Sequence, residues 1–197
     1  MSEEFIGEPP GHGTRPWART ILALQTLLTA IVVGWVLDLH RLAGLELYTE
    51  QFLATVLGLA IALCFLIAPA APRLRGRVPW WDVLAAIAGL AIGLIIAWRY
   101  PTLVNELSER PLDGILMSAA LCLLVMEGTR RMAGFSLVGF VLAGVAYAML
   151  GHHLPGVFQA RPVEFTRLLV YLGLDTNALF GTSLAVAITV EIGRAHV

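Results

Sequence analysis

Lysine is absent from this sequence, and charged residues of every kind are scarce. All 13 basic residues are arginine, and charged residues make up 14% of the chain, whereas hydrophobic residues make up 58%. A soluble domain is about 25% charged. So few charges exclude an ordinary soluble protein and indicate that lipid surrounds much of the surface. The arginines are scattered and have no interleaved aromatic residues, so nucleic-acid binding has no support.

Motifs of enzymes and metalloproteins are also missing. The two cysteines, Cys64 and Cys122, lie in apolar runs and have no zinc or haem spacing, so both are predicted to be buried thiols. The pair His152-His153 lacks a third ligand and is predicted to be solvated. No nucleophile with its base, phosphate loop or paired carboxylate appears, which disfavours an intramembrane enzyme.

The N-terminus lacks the basic start of a cleavable signal, because Glu3, Glu4 and Glu8 stand there instead. The first apolar run is therefore predicted to be a retained span. A span needs about 20 apolar residues. Six runs contain no Asp, Glu or Arg: 20–37, 51–72, 83–98, 114–126, 132–160 and 176–190.

The third and fourth runs are short for a span. Trp80, Trp81 and Trp98 bracket the third run like interfacial anchors. The fourth extends helically to Arg131, whose side chain can reach the headgroups. We therefore predict an all-α polytopic membrane protein with about five transmembrane helices. An amphipathic interfacial helix over 163–174 and a truncated sixth span, capped by Asp175 or Asn177, would follow.

The arginines between the spans predict the orientation. Seven of them fall on the side of the N-terminus up to the start of the fifth span, and three fall on the opposite side. The positive-inside rule therefore places the N-terminus in the cytoplasm. The seven are Arg15, Arg19, Arg73, Arg75, Arg77, Arg130 and Arg131, and the three are Arg41, Arg99 and Arg110.

Small residues mark two possible helix–helix seams. Gly89 and Gly93 form a small-xxx-small pair in the third run, and Gly139, Ala143 and Tyr147 share one stripe in the fifth. Such residues let helix backbones approach closely in lipid. Chance is the alternative explanation, because the chain has 19 glycines.

One charged cluster stands at a helix end. Spacings of three and four place Glu127 on the same face as Arg130 and Arg131. Two roles are open for this cluster. It forms an intrahelical ion pair that also anchors the topology, or it contacts another subunit or lipid headgroups. Asp82 is predicted to cap a helix rather than carry protons. No apolar run contains an internal acid or base, which argues against a proton relay.

The segment from Tyr171 to Leu184 joins an amphipathic helix to a small-residue apolar stretch through a turn. Transporters use such broken helices to bring free backbone groups to an ion or an anionic substrate. An ordinary return into the last span is the alternative. The candidate substrate- or ion-binding residues are Asn177, Gly181, Thr182 and Ser183.

Three stretches of the sequence together carry a family resemblance. They are the arginine-rich loop into Val78-Pro79-Trp80-Trp81-Asp82, then Pro111-Leu112-Asp113 with the run ending Glu127-Gly128-Thr129-Arg130-Arg131, then Leu154-Pro155-Gly156 through Leu172 to Gly181. In this order, over residues 20–190, they resemble fused TRAP transporter permeases of the TAXI-associated kind. One departure is that Thr182-Ser183 stand where an Ile-Pro-like pair is expected.

The resemblance implies a small (Q-type) four-helix membrane part fused to the start of a large (M-type) transport part. It implies a secondary transporter of the bacterial inner membrane, driven by a sodium gradient. A periplasmic solute-binding protein would deliver an organic anion, often a carboxylate. Sodium would bind the full-length transporter, and the partners would be the binding protein, the lipid bilayer and the rest of the transport domain.

These expectations divide the chain into a cytoplasmic tail (1–19), a small-subunit-like domain (20–131) and the start of a transport domain (132–190). Residues 191–197, Glu-Ile-Gly-Arg-Ala-His-Val, match a sequencing-adapter translation and are predicted to be non-native. The chain is then expected to be an inactive N-terminal fragment. A stand-alone scaffolding subunit of a transporter is the alternative, and a small intramembrane enzyme is the disfavoured third.

Overall fold

The computed structural model describes residues 17–68, 70, 78–106, 112–175, 178–181 and 184. These residues contain seven α-helices, two short 3-10 turns and no strand. The helices are α1 (Ala18–Val36), α2 (Leu39–Leu42), α3 (Thr49–Ile67), α4 (Trp80–Glu106), α5 (Leu112–Ala133), α6 (Phe135–Leu150) and α7 (Phe165–Leu174).

Five of these helices are long and apolar enough to cross a membrane, namely α1, α3, α4, α5 and α6 continued to His153. Their mean hydropathy lies between 1.6 and 2.1. The prediction of an all-α polytopic membrane protein is confirmed. The helix predicted for the fourth span is also long enough, since α5 has 22 residues and continues beyond the charge-free run at both ends.

The central helix of the fold is α3. Two thirds of its apolar stretch is buried, and α1, α4 and α5 all contact it. In contrast, only 6% of the apolar stretch of α1 and of α6 is buried within the chain. The remaining apolar surface of α1 and α6 suits contact with lipid or with further membrane helices, because water does not stabilise it.

Glycines bring α3 and α4 into backbone contact. A Cβ built on Gly93 would lie 2.7 Å from the carbonyl oxygen of Ala54 and 2.8 Å from Cα of Gly58. A Cβ on Gly89 would lie 2.3 Å from the Ile61 side chain. A larger residue at Gly93 would force the helix backbones apart, and one at Gly89 would displace the Ile61 side chain. The seam predicted at Gly89 and Gly93 is confirmed, and Gly58 supplies its other half.

The second predicted seam, on α6, has no partner among the described residues. Apart from chain neighbours and the backbone of α6 itself, no described atom lies within 4 Å of a Cβ built on Gly139 or on Gly144. Tyr147 instead donates a hydrogen bond to the carbonyl of Phe158 (3.0 Å). Because α6 contacts mainly α5 and the turn that follows it, its small-residue stripe stays open.

Helix α4 is longer than its charge-free run and continues through Pro101. Proline has no N–H, so it cannot donate to the carbonyl four residues earlier, which belongs to Ala97. The Gln51 side chain of α3 donates to this carbonyl oxygen instead (2.8 Å). The oxygen of the same amide accepts from the Tyr48 backbone N–H (3.0 Å) and so closes the start of α3.

The amphipathic segment predicted over 163–174 forms α7, and its buried residues Val170, Gly173 and Leu174 lie on one side. That side packs on α5, where Ser118 donates a hydrogen bond to the carbonyl of Leu169. The approach is close, because a Cβ on Gly173 would lie 2.0 Å from Oγ of Ser118. The apolar face of this segment was predicted to lie at the membrane interface. Part of it is instead covered by α5.

Candidate functional site

Charged side chains from two helices meet at one end of the helix bundle. They are Asp82 in the first turn of α4 and Glu127, Arg130 and Arg131 in the last turns of α5. We call these four residues the Arg131 cluster. The C-terminal end of α3 lies beside them, and it contributes the carbonyl of Ala68 and the ring of Phe65.

Within α5, Glu127 binds both arginines, as the sequence spacing predicts. Its carboxylate accepts two bonds from Arg130, at 2.7 Å from Nε and 2.6 Å from Nη2. It also accepts one bond from Nε of Arg131 (2.7 Å). The intrahelical ion pair is therefore present. The alternative role of these residues, contact with another subunit or with lipid headgroups, stays a prediction.

Arg131 also makes contacts that cross between helices. Its Nη2 donates to Oδ1 of Asp82 (2.7 Å) and its Nη1 to the carbonyl of Ala68 (3.1 Å). Its guanidinium lies 4.4 Å from the ring centroid of Phe65, which is a cation–π distance. One side chain thus ties the end of α3, the start of α4 and the end of α5 together.

The Asp82–Arg131 pair is the most buried charge pair in the described part of the chain. The Arg131 side chain is 5% exposed and that of Asp82 is 2% exposed, whereas Glu127 is 34% exposed. Two carboxylates and two guanidinium groups make the cluster neutral overall. Neutrality matters here because an unpaired buried charge is strongly unfavourable.

The second carboxylate oxygen of Asp82, Oδ2, is buried and has no hydrogen-bond partner among the described residues. Half of this carboxylate is therefore desolvated without compensation. Buried polar atoms are normally paired. Asp82 is held in this position by Arg131 and by its place in the first turn of α4, where the helix dipole also favours a negative charge.

The sequence pattern predicted that Asp82 caps a helix. It lies in the first turn of α4, but as the third helical residue rather than at the N-cap, and its main partner was not predicted. The structure shows it bound to Arg131, 49 residues away. The pattern offered one usable signal, since Asp82 and Arg131 were both predicted to lie at the same end of the bundle. Their contact depends on the packing of α4 and α5, which the pattern does not specify.

Of the four predicted substrate- or ion-binding residues, the structure describes only Gly181. Gly181 is buried in a turn over residues 178–181, where its N–H donates to the carbonyl of Ala178 (3.0 Å). Asn177, Thr182 and Ser183 lie outside the described residues, as does most of the predicted sixth span. Among the described residues, no three His, Cys, Asp or Glu side chains come together as a metal site.

A second ion pair joins two helices at the opposite end of α4 and α5. Arg99 of α4 donates a hydrogen bond to Asp113 in the first turn of α5. Both side chains are partly exposed, so this pair is weaker than the Asp82–Arg131 pair. A charge pair therefore links α4 and α5 at each end, and the apolar parts of both helices lie between the two pairs.

Comparisons of the chain with known protein families, with curated proteins and with solved structures found no match.

Proposed function

We propose that this chain is a membrane component of a secondary transporter of the TRAP type, in the bacterial inner membrane with its N-terminus in the cytoplasm. The transporter would import an organic anion, in particular a carboxylate, delivered by a periplasmic solute-binding protein and driven by a sodium gradient. The proposal rests on the three stretches of family resemblance, and one structural observation supports it.

That observation is that the resembling stretches contact one another. Asp82 of the first stretch binds Arg131 of the second. Gly173 of the third packs directly on Ser118, which follows Pro111-Leu112-Asp113 in the second. When the motifs of a family serve to hold its helices together, their residues are expected to contact one another. Scattered chance similarities would have no reason to fall at shared contacts.

The test is uptake by proteoliposomes that contain the product of the whole locus, cloned from genomic DNA so that any in-frame continuation is included. Any secreted solute-binding protein that is encoded next to it is added outside, with labelled carboxylates such as succinate and glutamate as probes. We expect uptake that requires an inward sodium gradient and the binding protein. Uptake that needs neither would contradict the proposal.

A second candidate function is that of a scaffolding subunit for a separate transport protein. It is favoured by the position of the buried charges, since both members of the Asp82–Arg131 pair lie at helix ends rather than at mid-depth. Affinity purification from native membranes distinguishes the two functions. A scaffold should carry a larger membrane protein encoded by another gene, whereas a fused permease should not.

A further inference from the structure

Two cavities adjoin where α1, α2 and the start of α3 meet. The first, of about 720 Å³, is lined mainly by polar and charged residues of the 38–49 segment. The second, of about 650 Å³, is lined mainly by apolar residues of α1, α3 and α4. Both volumes suit a small-molecule ligand. We call the first the polar cleft and the second the apolar groove.

The two cavities lie next to each other, because four residues belong to the walls of both. Trp35, His40, Leu45 and Leu47 line both of them. The shared wall is rigid, since the His40 ring stacks on Trp35 at 4.2 Å and Trp35 stacks in turn on Phe52 at 4.5 Å, with nearly parallel planes. A ligand occupying both cavities would need one polar end and one apolar end.

The charges of the polar cleft specify the polar end further. Asp38, Arg41 and Glu46 line it, which gives two carboxylates and one guanidinium. Asp38 and Arg41 are 3.7 Å apart and their side chains are 62% and 77% exposed, so their mutual attraction is weak and both remain open to a ligand. A group with an anionic and a cationic part matches this wall better than an anion does.

The position of the cavities is that of a lipid at a membrane boundary. The groove lies beside the last turns of α1 and the Leu94–Trp98 stretch of α4, within two predicted spans. The cleft lies in the segment that joins the α1 and α3 spans. Trp98 and Tyr48, residues typical of the interface, are strongly exposed here. Nδ1 of His40 is also buried, and no described residue forms a hydrogen bond with it.

We propose that this composite cavity is a binding site for a zwitterionic glycerophospholipid of the phosphatidylethanolamine type. Arg41 binds the phosphate, Asp38 and Glu46 bind the ammonium group, and the beginning of an acyl chain enters the apolar groove beside Gly34. Gly34 leaves room for the chain because it has no side chain. The site is independent of the proposed transport function.

The experiment is titration of the detergent-purified chain with phosphatidylethanolamine or phosphatidylglycerol, with bound lipid counted by native mass spectrometry. We expect the first lipid to bind about tenfold more tightly, since a charge-assisted contact is worth at least that factor. Arg41→Gln should weaken its binding by about tenfold. Arg161→Gln, which changes an exposed arginine outside the cavities, should leave binding unchanged.

The groove is tested by a matched pair at Gly34. Gly34→Ala adds a Cβ at an ordinary 3.8 Å from Leu39 and should retain the lipid. Gly34→Phe fills the groove and should lose it, with helix content checked by circular dichroism. Equal binding of both lipids, retention by Gly34→Phe, or equal competition by the chain-free headgroup would overturn the proposal. So would self-association through these residues in place of lipid binding.

Discussion

Arg131 is the residue on which the charged end of the bundle depends. Replacing it by glutamine leaves the buried carboxylate of Asp82 without a cationic partner, which in proteins costs about 3–5 kcal/mol. We expect Arg131→Gln to lower the free energy of unfolding by this amount, measured by titration of mixed micelles with a denaturing detergent. Adding Asp82→Asn to it should recover part of the loss, because no buried charge then remains unpaired.

The matched control for this change is Arg41→Gln. Arg41 also belongs to an ion pair, but that pair is exposed to solvent. Its loss should cost less than about 1 kcal/mol. If both arginine variants lost the same stability, burial of the Asp82–Arg131 pair would not be the source of its effect.

At the scale of the elements, α4 depends on a side chain of α3 to continue through Pro101. Gln51→Leu removes the donor to the part-buried carbonyl of Ala97, and leaving such a group unpaired costs up to about 1–3 kcal/mol. Pro101→Ala restores a backbone N–H that can serve the same carbonyl. We therefore expect Gln51→Leu to be less destabilising in the Pro101→Ala background. Additive losses in this double-mutant cycle would show that the two residues are not coupled.

The α3–α4 seam yields a second prediction at this scale. Gly93→Ala places a methyl group 2.7 Å from the carbonyl oxygen of Ala54, so the helices must separate. Overpacking of this kind costs about 1–3 kcal/mol of unfolding free energy. Gly144→Ala is the matched control in α6, where nothing lies within 4 Å. It should be neutral or stabilising, since alanine favours a helix.

These elements also show what a sequence can reveal about the fold. Spans are set by the length and hydropathy of single segments, so all five were predictable. The Gly89–Gly93 seam and the bonds of Glu127 to Arg130 and Arg131 were predictable too, because they follow from spacing along one helix. The Gln51–Ala97 bond depends on how separate helices meet, and no local pattern specifies that.

For the whole molecule, the arrangement of arginines predicts which side of the membrane each end of α6 faces. In a chain whose cysteines are replaced by alanine, Ala133→Cys and His153→Cys lie just outside the two ends of helix α6, and both positions are exposed. We expect a membrane-impermeant thiol reagent to label His153→Cys in intact spheroplasts. Ala133→Cys should react only after the membrane is opened. The reverse pattern would invert the proposed topology.

Gly134 sets the direction in which α6 follows the first four predicted spans. Between α5 and α6 stands only Gly134, with φ of 83° and ψ of −177°, a conformation that residues with a side chain rarely adopt. The direction of α6 is therefore controlled by a single pair of backbone angles. A substitution at Gly134 would leave both neighbouring helices intact and yet change the angle at which α6 leaves α5.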